Sequence, residues 1–135
     1  MTEETFTVGA PTIIPSDSPD GWHAAFFEDD GETAYFYALD PSRVQDRILD
    51  ALHIYNVANV VDRDRPSLVR IAWSKDGSKC VLLINQYPHA AFDFSARRGY
   101  CRTNSPNFKD PADGSWTTAD HSWSDDAVSW LNTAR

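Results

Sequence analysis

The segment Val69–Ile84, VRIAWSKDGSKCVLLI, decides the predicted fold. Side chains alternate between apolar and mixed positions on both sides of its centre, a pattern typical of β-strands. The central Asp76-Gly77 favours a tight hairpin, because a type I′ turn needs positive φ at both central residues. This turn places apolar residues opposite one another in the pairs Trp73–Cys80, Ile71–Leu82 and Val69–Ile84. The sequence therefore predicts a hairpin with one apolar face.

The residues after Ile84 continue this pattern as a meander. A three-residue connection, Gln86-Tyr87-Pro88, again places apolar residues opposite one another, in the pairs Ile84–Ala90, Leu82–Phe92 and Cys80–Phe94. A turn at residues 96–99 returns residues 100–103 as a fourth strand. The sequence does not fix the register of that strand.

A second Asp-Gly turn predicts a hairpin near the N-terminus. Trp22–Glu28 and Thr33–Leu39 are both strand-like, and Asp30-Gly31 lies between them. Centring the turn on Asp30-Gly31 pairs Phe27 with Ala34 and Phe26 with Tyr35. Both faces of this hairpin are rich in apolar residues, which predicts a hairpin covered on both sides.

Helical spacing follows this hairpin. Asp40 is a favourable N-cap and Pro41 suits the first helical position. One apolar stripe at helical spacing then consists of Val44, Ile48, Ala51, Leu52 and Tyr55. A second, short helix is predicted to begin at Ser124, with Asp125 and Asp126 favouring its positive end.

These elements predict an α+β fold in one domain spanning residues 1–135. We expect an antiparallel sheet of about five to seven strands with helices on one face. Residues 1–20 are interpreted as an extended lead-in and residues 104–121 as a long loop.

Composition narrows the class of protein. The chain has 12 Lys and Arg against 20 Asp and Glu, a formal net charge of −8 at pH 7. Hydrophobic residues make up 41% of it, which excludes a disordered tail or a low-complexity linker. Because an acidic domain repels phosphate backbones, we expect no nucleic-acid partner.

The expected compartment is the cytoplasm. No run approaches the roughly 18 apolar residues that span a bilayer, and no signal peptide is visible at the N-terminus. We therefore expect no membrane partner, and we expect Cys80 and Cys101 to be free, reduced thiols. The spacing of the His and Cys residues predicts neither a metal site nor a cofactor.

The meander register predicts a second face carrying Arg70, His89 and Asp93. Arg70 and Asp93 would be diagonal neighbours, and the small Ala72 and Ala91 would leave a depression that could bind a partner. The alternatives are a second covered layer, or a solvated sheet with a structural ion pair, which adds only about 0–1 kcal/mol.

The first hairpin turn concentrates carboxylates. Glu28, Asp29, Asp30 and Glu32 are candidate contacts for a basic protein, although solvation alone also explains them. No coherent catalytic constellation is present, so we interpret the chain as a binding protein rather than an enzyme, without excluding activity.

Three stretches resemble a known bacterial family. They are FFEDDGETAYFYALD at residues 26–40, ILDALHIYNV at 48–57 and RGYCRTN at 98–104. The chain resembles small acidic single-domain bacterial proteins classed only as a domain of unknown function. The resemblance covers about residues 4–108 and implies a bacterial, cytoplasmic protein. It implies no activity and no site residues.

The sequence favours a non-enzymatic interaction module that binds a basic protein. Its sharpest form is an immunity-type partner that neutralises a toxin, an analogy based on size and charge alone. The alternative is a small enzyme or ligand-binding domain with a pocket near His53, Arg70, His89 and Asp93. A third hypothesis is weak RNA contact through the cluster Arg97, Arg98, Tyr100 and Arg102. The oligomeric state is left open.

Overall fold

Nine strands and almost no helix make up the computed structural model, which describes residues 2–45, 47–103, 116 and 120–133. The strands are β1 Thr2–Phe6, β2 Thr12–Asp17, β3 Ala24–Asp29, β4 Thr33–Leu39, β5 Ile48–Asn56, β6 Ser67–Trp73, β7 Lys79–Ile84, β8 Tyr87–Asp93 and β9 Arg98–Cys101. The remaining elements are 3-10 turns at Val57–Asn59 and Asp125–Val128 and a one-turn helix α1, Trp130–Thr133.

The strands form two antiparallel sheets. Sheet I has the order β1-β6-β7-β8-β9, and sheet II has the order β2-β3-β4-β5. One core holds side chains from both sheets, with Phe36 of sheet II stacked on Phe92 of sheet I at a centroid distance of 5.0 Å. Phe6 of sheet I meets Phe27 of sheet II edge-on at 5.3 Å. The architecture is thus two sheets packed face to face.

The α+β prediction is therefore wrong. The predicted amphipathic helix after the first hairpin is strand β5, and the predicted C-terminal helix is only the Asp125–Val128 turn followed by the four residues of α1. The predicted number of strands was also too low, because the predicted lead-in of residues 1–20 contains β1 and β2. Most of the predicted loop 104–121 lies outside the described residues.

Two extra residues interrupt the alternation of side chains along β5. Ala38 pairs with Asp50 and Leu39 with Ile48, so Leu49 is an additional residue opposite β4. Ala34 pairs with Tyr55 and Tyr35 with His53, which makes Ile54 a second one. Of the predicted helical stripe, Leu52 lies in the core and Tyr55 packs against it, whereas Val44 is 86% exposed and Ala51 pairs with the outward Tyr37. The stripe therefore mixes both faces of a strand whose alternation the bulges interrupt.

The register of the Asp76-Gly77 hairpin is confirmed, with Trp73 opposite Cys80 and Val69 opposite Ile84. The predicted type I′ turn is wrong, because Gly77 has a positive φ and Asp76 does not. The first hairpin is shifted by two residues. Asp30 N donates to the carbonyl of Thr33, which places Gly31, at φ 100°, first in the turn. Phe27 therefore pairs with Phe36 rather than with Ala34.

The third hairpin is shifted in the same way. Asn85 and Gln86, both at positive φ, form its turn, so Leu82 pairs with Ala90 rather than with Phe92. A shift of two residues preserves the face of each side chain, so Leu82, Ala90 and Phe92 keep their predicted face. An irregularity between Leu82 and Leu83 makes the shift three next to the turn, where Ile84 pairs with Tyr87.

The two sheets also meet along their edges. Thr2 Oγ1 of β1 donates to Ser16 Oγ of β2 at 2.7 Å. At the other edge, the thiol of Cys101 in β9 donates to the carbonyl of His53 in β5 at 3.1 Å. Cys101 and Cys80 are both buried and free, as predicted, and burial raises the pKa of the Cys80 thiol.

The β5–β9 edge encloses an ionisable pair. Asp50 and His121 have side chains only 2% and 1% exposed, and His121 Nε2 lies 2.8 Å from Asp50 Oδ2. The carbonyl of His121 also accepts from Cys101 N at 2.9 Å, which ties the C-terminal segment to β9. Gly99 makes room for the carboxylate, since a Cβ there would lie 2.8 Å from Asp50 Oδ2.

We expect Gly99→Ala to lower the free energy of unfolding by about 1–3 kcal/mol, because the new methyl group would overpack the edge where β5 meets β9. Urea denaturation measures the change. Exposed Ser95 lies in the same hairpin, and Ser95→Ala should change the stability by less than about 0.5 kcal/mol. Equal stability of the two variants would show that the β5–β9 edge tolerates a Cβ at position 99.

We expect His121→Ala to cost about 3 kcal/mol, because it leaves the buried Asp50 carboxylate without its imidazole partner. His53→Ala is the control, since the ring of His53 bonds Asn56 at an exposed position. Urea denaturation of both variants should show a much larger loss for His121→Ala. A loss no larger than that of His53→Ala would contradict a structural role for the pair.

Candidate functional site

The outer face of sheet II carries a row of aromatic rings. Phe26 and Tyr37 stack with centroids 4.5 Å apart, and Tyr35 and Tyr37 stack at 5.9 Å. His53 meets Tyr35 edge-on at 5.3 Å. We call this surface the aromatic face and define it by Ile13, Phe26, Glu28, Tyr35, Tyr37 and His53.

Strand alternation produces this face. The inward row across sheet II is Ile14, Phe27, Phe36 and Leu52, all fully buried. Their neighbours along each strand must therefore point outwards. Ile13 is 61% exposed, and the four rings are half-buried. The prediction that this hairpin is covered on both sides is wrong for the described part of the chain.

Carboxylates border the aromatic face. Glu28 lies between Ile13 and Tyr35 in one cross-strand row. Burial raises the pKa of the Tyr37 hydroxyl, and the negative charge of Glu28 raises it further. Backbone N–H groups of Thr33 and Glu32 lower the pKa of Asp30, which therefore stays ionised. The face combines rings with negative charge.

Asp29 lies apart from these exposed carboxylates. Its side chain is completely buried, and it accepts from Gly9 N at 2.7 Å, Gly31 N at 2.8 Å and the Tyr55 hydroxyl at 2.6 Å. Burial raises the pKa of Tyr55, and the hydrogen bond to Asp29 and then the charge of Asp29 raise it further. Asp29 thus fastens two turns to β5, while Asp30 and Glu32 are exposed at the hairpin.

The structure separates the predicted Arg70–Asp93 pair. Arg70 Nε donates to Glu3 Oε2 on the neighbouring strand β1 at 2.6 Å. Asp93 lies opposite Lys79 and accepts from Ala96 N at 3.0 Å, closing the β8–β9 turn.

The predicted depression at Ala72 and Ala91 is filled. Val128, Trp130 and Leu131 pack on these two alanines and on Val81. This is the covered second layer that the sequence left open as an alternative.

The four residues of the alternative pocket do not come together. His53 is on the aromatic face, Arg70 pairs with Glu3, and Asp93 closes a turn. Of the four, His89 lines a cavity, together with residues that the sequence did not single out as site residues. A ligand site built on those four residues is therefore not formed.

The basic cluster is engaged in local contacts. Arg98 lies over the Tyr100 ring at 4.6 Å and pairs with Asp120 at 3.2 Å. Arg102 lies over the Trp123 ring at 4.0 Å. These contacts connect β8 and β9 to the C-terminal segment.

Sequence reasoning identified the acidic turn but missed the aromatic face. A signal was available: Glu28 shares one side of its hairpin with Phe26, Tyr35 and Tyr37. A carboxylate in that position indicates a face that is open to water, because buried unpaired carboxylates are rare.

We expect Asp29→Asn to lower the free energy of unfolding by about 2–3 kcal/mol, because one amide oxygen cannot replace both carboxylate oxygens. Glu28→Gln replaces the neighbouring half-buried carboxyl group and should change the free energy of unfolding by less than about 0.5 kcal/mol. Urea denaturation compares the two variants. If Asp29→Asn were as stable as the parent protein, Asp29 would not be the anchor described above.

None of the helices in the described ranges is long and apolar enough to span a membrane.

The chain is 38% identical over 130 residues to an uncharacterized protein of Haemophilus influenzae, a match that covers 96% of this chain and 79% of the relative. No solved structure matches the chain significantly. A family model described as "Uncharacterized protein conserved in bacteria (DUF2251)" matches residues 6–132, and the chain therefore belongs to this bacterial family of unknown function.

Proposed function

We propose that this chain is a non-enzymatic interaction module that binds a basic protein through the aromatic face and the acidic hairpin beside it. The observation that carries the proposal is the stack of Phe26, Tyr37 and Tyr35 with Glu28 on the same surface. The sharpest form remains an immunity-type protein that neutralises a basic toxin, acting in the cytoplasm.

The chemistry of this surface suits arginine and lysine side chains. A cation above an aromatic ring is attracted by the ring quadrupole, by about 0.5–1 kcal/mol at exposed sites. Glu28 can pair with the same cation, while the rings contact its aliphatic stem. The surface thus offers both a charge and a flat apolar contact to one side chain.

The rest of the chain supports fast encounter with such a partner. The formal net charge of −8 gives the molecule a long-range attraction for basic proteins. Electrostatic steering of this kind raises association rates and makes them sensitive to salt. The ionised Asp30 and the exposed Glu32 extend the negative charge to the end of the hairpin.

The sheet edges favour docking on the face rather than strand addition. β1 and β2 meet through the Thr2–Ser16 hydrogen bond, and β5 and β9 meet through Cys101. Pro15 in β2 also lacks the N–H that an added strand would need. A partner therefore meets the rings of sheet II directly.

The test compares two charge-reversal variants in capture from an extract of the source bacterium. Glu28→Lys with Glu32→Lys reverses the proposed surface, and Glu4→Lys with Asp64→Lys makes the same charge change at exposed positions elsewhere. We expect the first variant to weaken binding of a basic protein by about tenfold or more. The control variant should bind within about threefold of the parent, as expected for distant rim charges.

Purified partner and titration at low and at high salt give the dissociation constants. Binding should weaken as salt screens the charges. Equal losses in both variants, salt-insensitive binding, or capture of acidic proteins alone would each contradict the proposal. If the immunity form holds, the captured protein is a toxin whose activity the parent chain inhibits and the Glu28/Glu32 variant does not.

A further inference from the structure

A cavity of about 530 Å³ lies where the segment after β5 crosses the end of the sandwich. Its apolar lining includes Val8, Ile54 and Ile84, which belong to the core and are each less than a tenth exposed. A cavity of this size is in the range that holds small organic ligands. These side chains therefore give the cavity an apolar wall at the edge of the core.

The turn that borders the cavity is held in place by the backbone. Asp62 adopts a positive φ of 53°, and Arg65 N donates to its carbonyl at 3.0 Å. Arg63 Nη1 donates to the carbonyl of Val57 at 3.0 Å, which fixes the turn against the 3-10 segment. Arg63 and Arg65 both line the cavity as a result.

Two groups that line the cavity have unused hydrogen-bonding capacity. Among the described residues, Arg65 has no carboxylate within ion-pair distance, and the ring of His89 has no hydrogen-bond partner. Burial lowers the pKa of His89, and the charge of Arg102 lowers it further. His89 is therefore a neutral ring near pH 7, and one of its nitrogens carries a proton to donate.

We propose that this cavity binds a small organic anion, a carboxylate with a compact apolar body. Arg65 and the N–H of His89 would hold the carboxylate, and Ile54 and Ile84 would contact the apolar body. Arg63, Arg65 and the carboxylate-bearing Asp62 line the cavity, so its formal charge is one positive unit even though the chain as a whole is acidic. This balance favours an anion over a cation. The site shares no residue with the aromatic face, so it does not depend on the proposed protein partner.

The test uses sodium hexanoate as the probe, followed by ¹H–¹⁵N NMR of the full chain. A fragment of this size is expected to bind with a millimolar dissociation constant. We expect saturable shifts of the amide signals of Ile54, Ile84 and Asn85. Hexanol lacks the charge, acetate lacks the apolar body, and hexylammonium has the opposite charge; each should bind more weakly at these amides.

Arg65→Ala should raise the hexanoate dissociation constant about threefold to tenfold, since it removes one charged contact at an exposed position. Arg47→Ala is the matched control, an exposed arginine ahead of β5 that does not line the cavity. It should leave the constant within about twofold. The NMR spectrum without ligand shows that each variant is folded.

Absence of saturable shifts at the three amides would overturn the proposal. It would also be overturned if hexanol or hexylammonium bound as tightly as hexanoate, because charge recognition would then be missing. Equal weakening of hexanoate binding by Arg65→Ala and Arg47→Ala would also contradict the proposal, because it would show that hexanoate is attracted to arginines in general. Loss confined to Arg65→Ala supports the site.

Discussion

A single apolar layer shared by two sheets constrains everything else in this molecule. Side chains along a strand alternate between the two faces, so a residue that reaches the shared core sends its neighbours outwards. Phe27 and Phe36 fill the core from sheet II, and Phe26 and Tyr37 consequently stack outside it. The aromatic face is therefore a consequence of how the core is filled, and it needs no separate folding element.

The outer faces of the two sheets differ in what covers them. On sheet I, the small residues Ala72 and Ala91 leave space that Trp130 and Leu131 occupy. On sheet II, the large rings stack on one another and carry Glu28 among them. Small residues accept a covering segment, whereas rings beside a carboxylate favour contact with water or with a cation. The outer face of sheet II therefore presents rings and a carboxylate, whereas the alanines of sheet I are covered.

Sequence predicted the hairpins and their faces better than their registers. The register around Asp76-Gly77 was correct, whereas the pairing of the first hairpin was shifted by two residues and that of the third by two, or by three next to its turn. A shift of two exchanges partners but preserves which side chains are buried. For β5 the prediction was wrong, because apolar residues lie on both faces of this strand and bulges at Leu49 and Ile54 break the alternation by which a strand is recognised.

The parts of the site that sequence could not predict depend on contacts between distant residues. Arg70 bonds Glu3, and Asp50 bonds His121, across separations of 67 and 71 residues. Local pattern carries no information on such partners, so the nearer Asp93 was predicted as the partner of Arg70. Asp29 shows the same limit within the acidic turn, since its burial follows from Tyr55 of β5. Residue type at a turn therefore identifies candidates for contact, and only the packing of remote strands decides which carboxylates remain exposed.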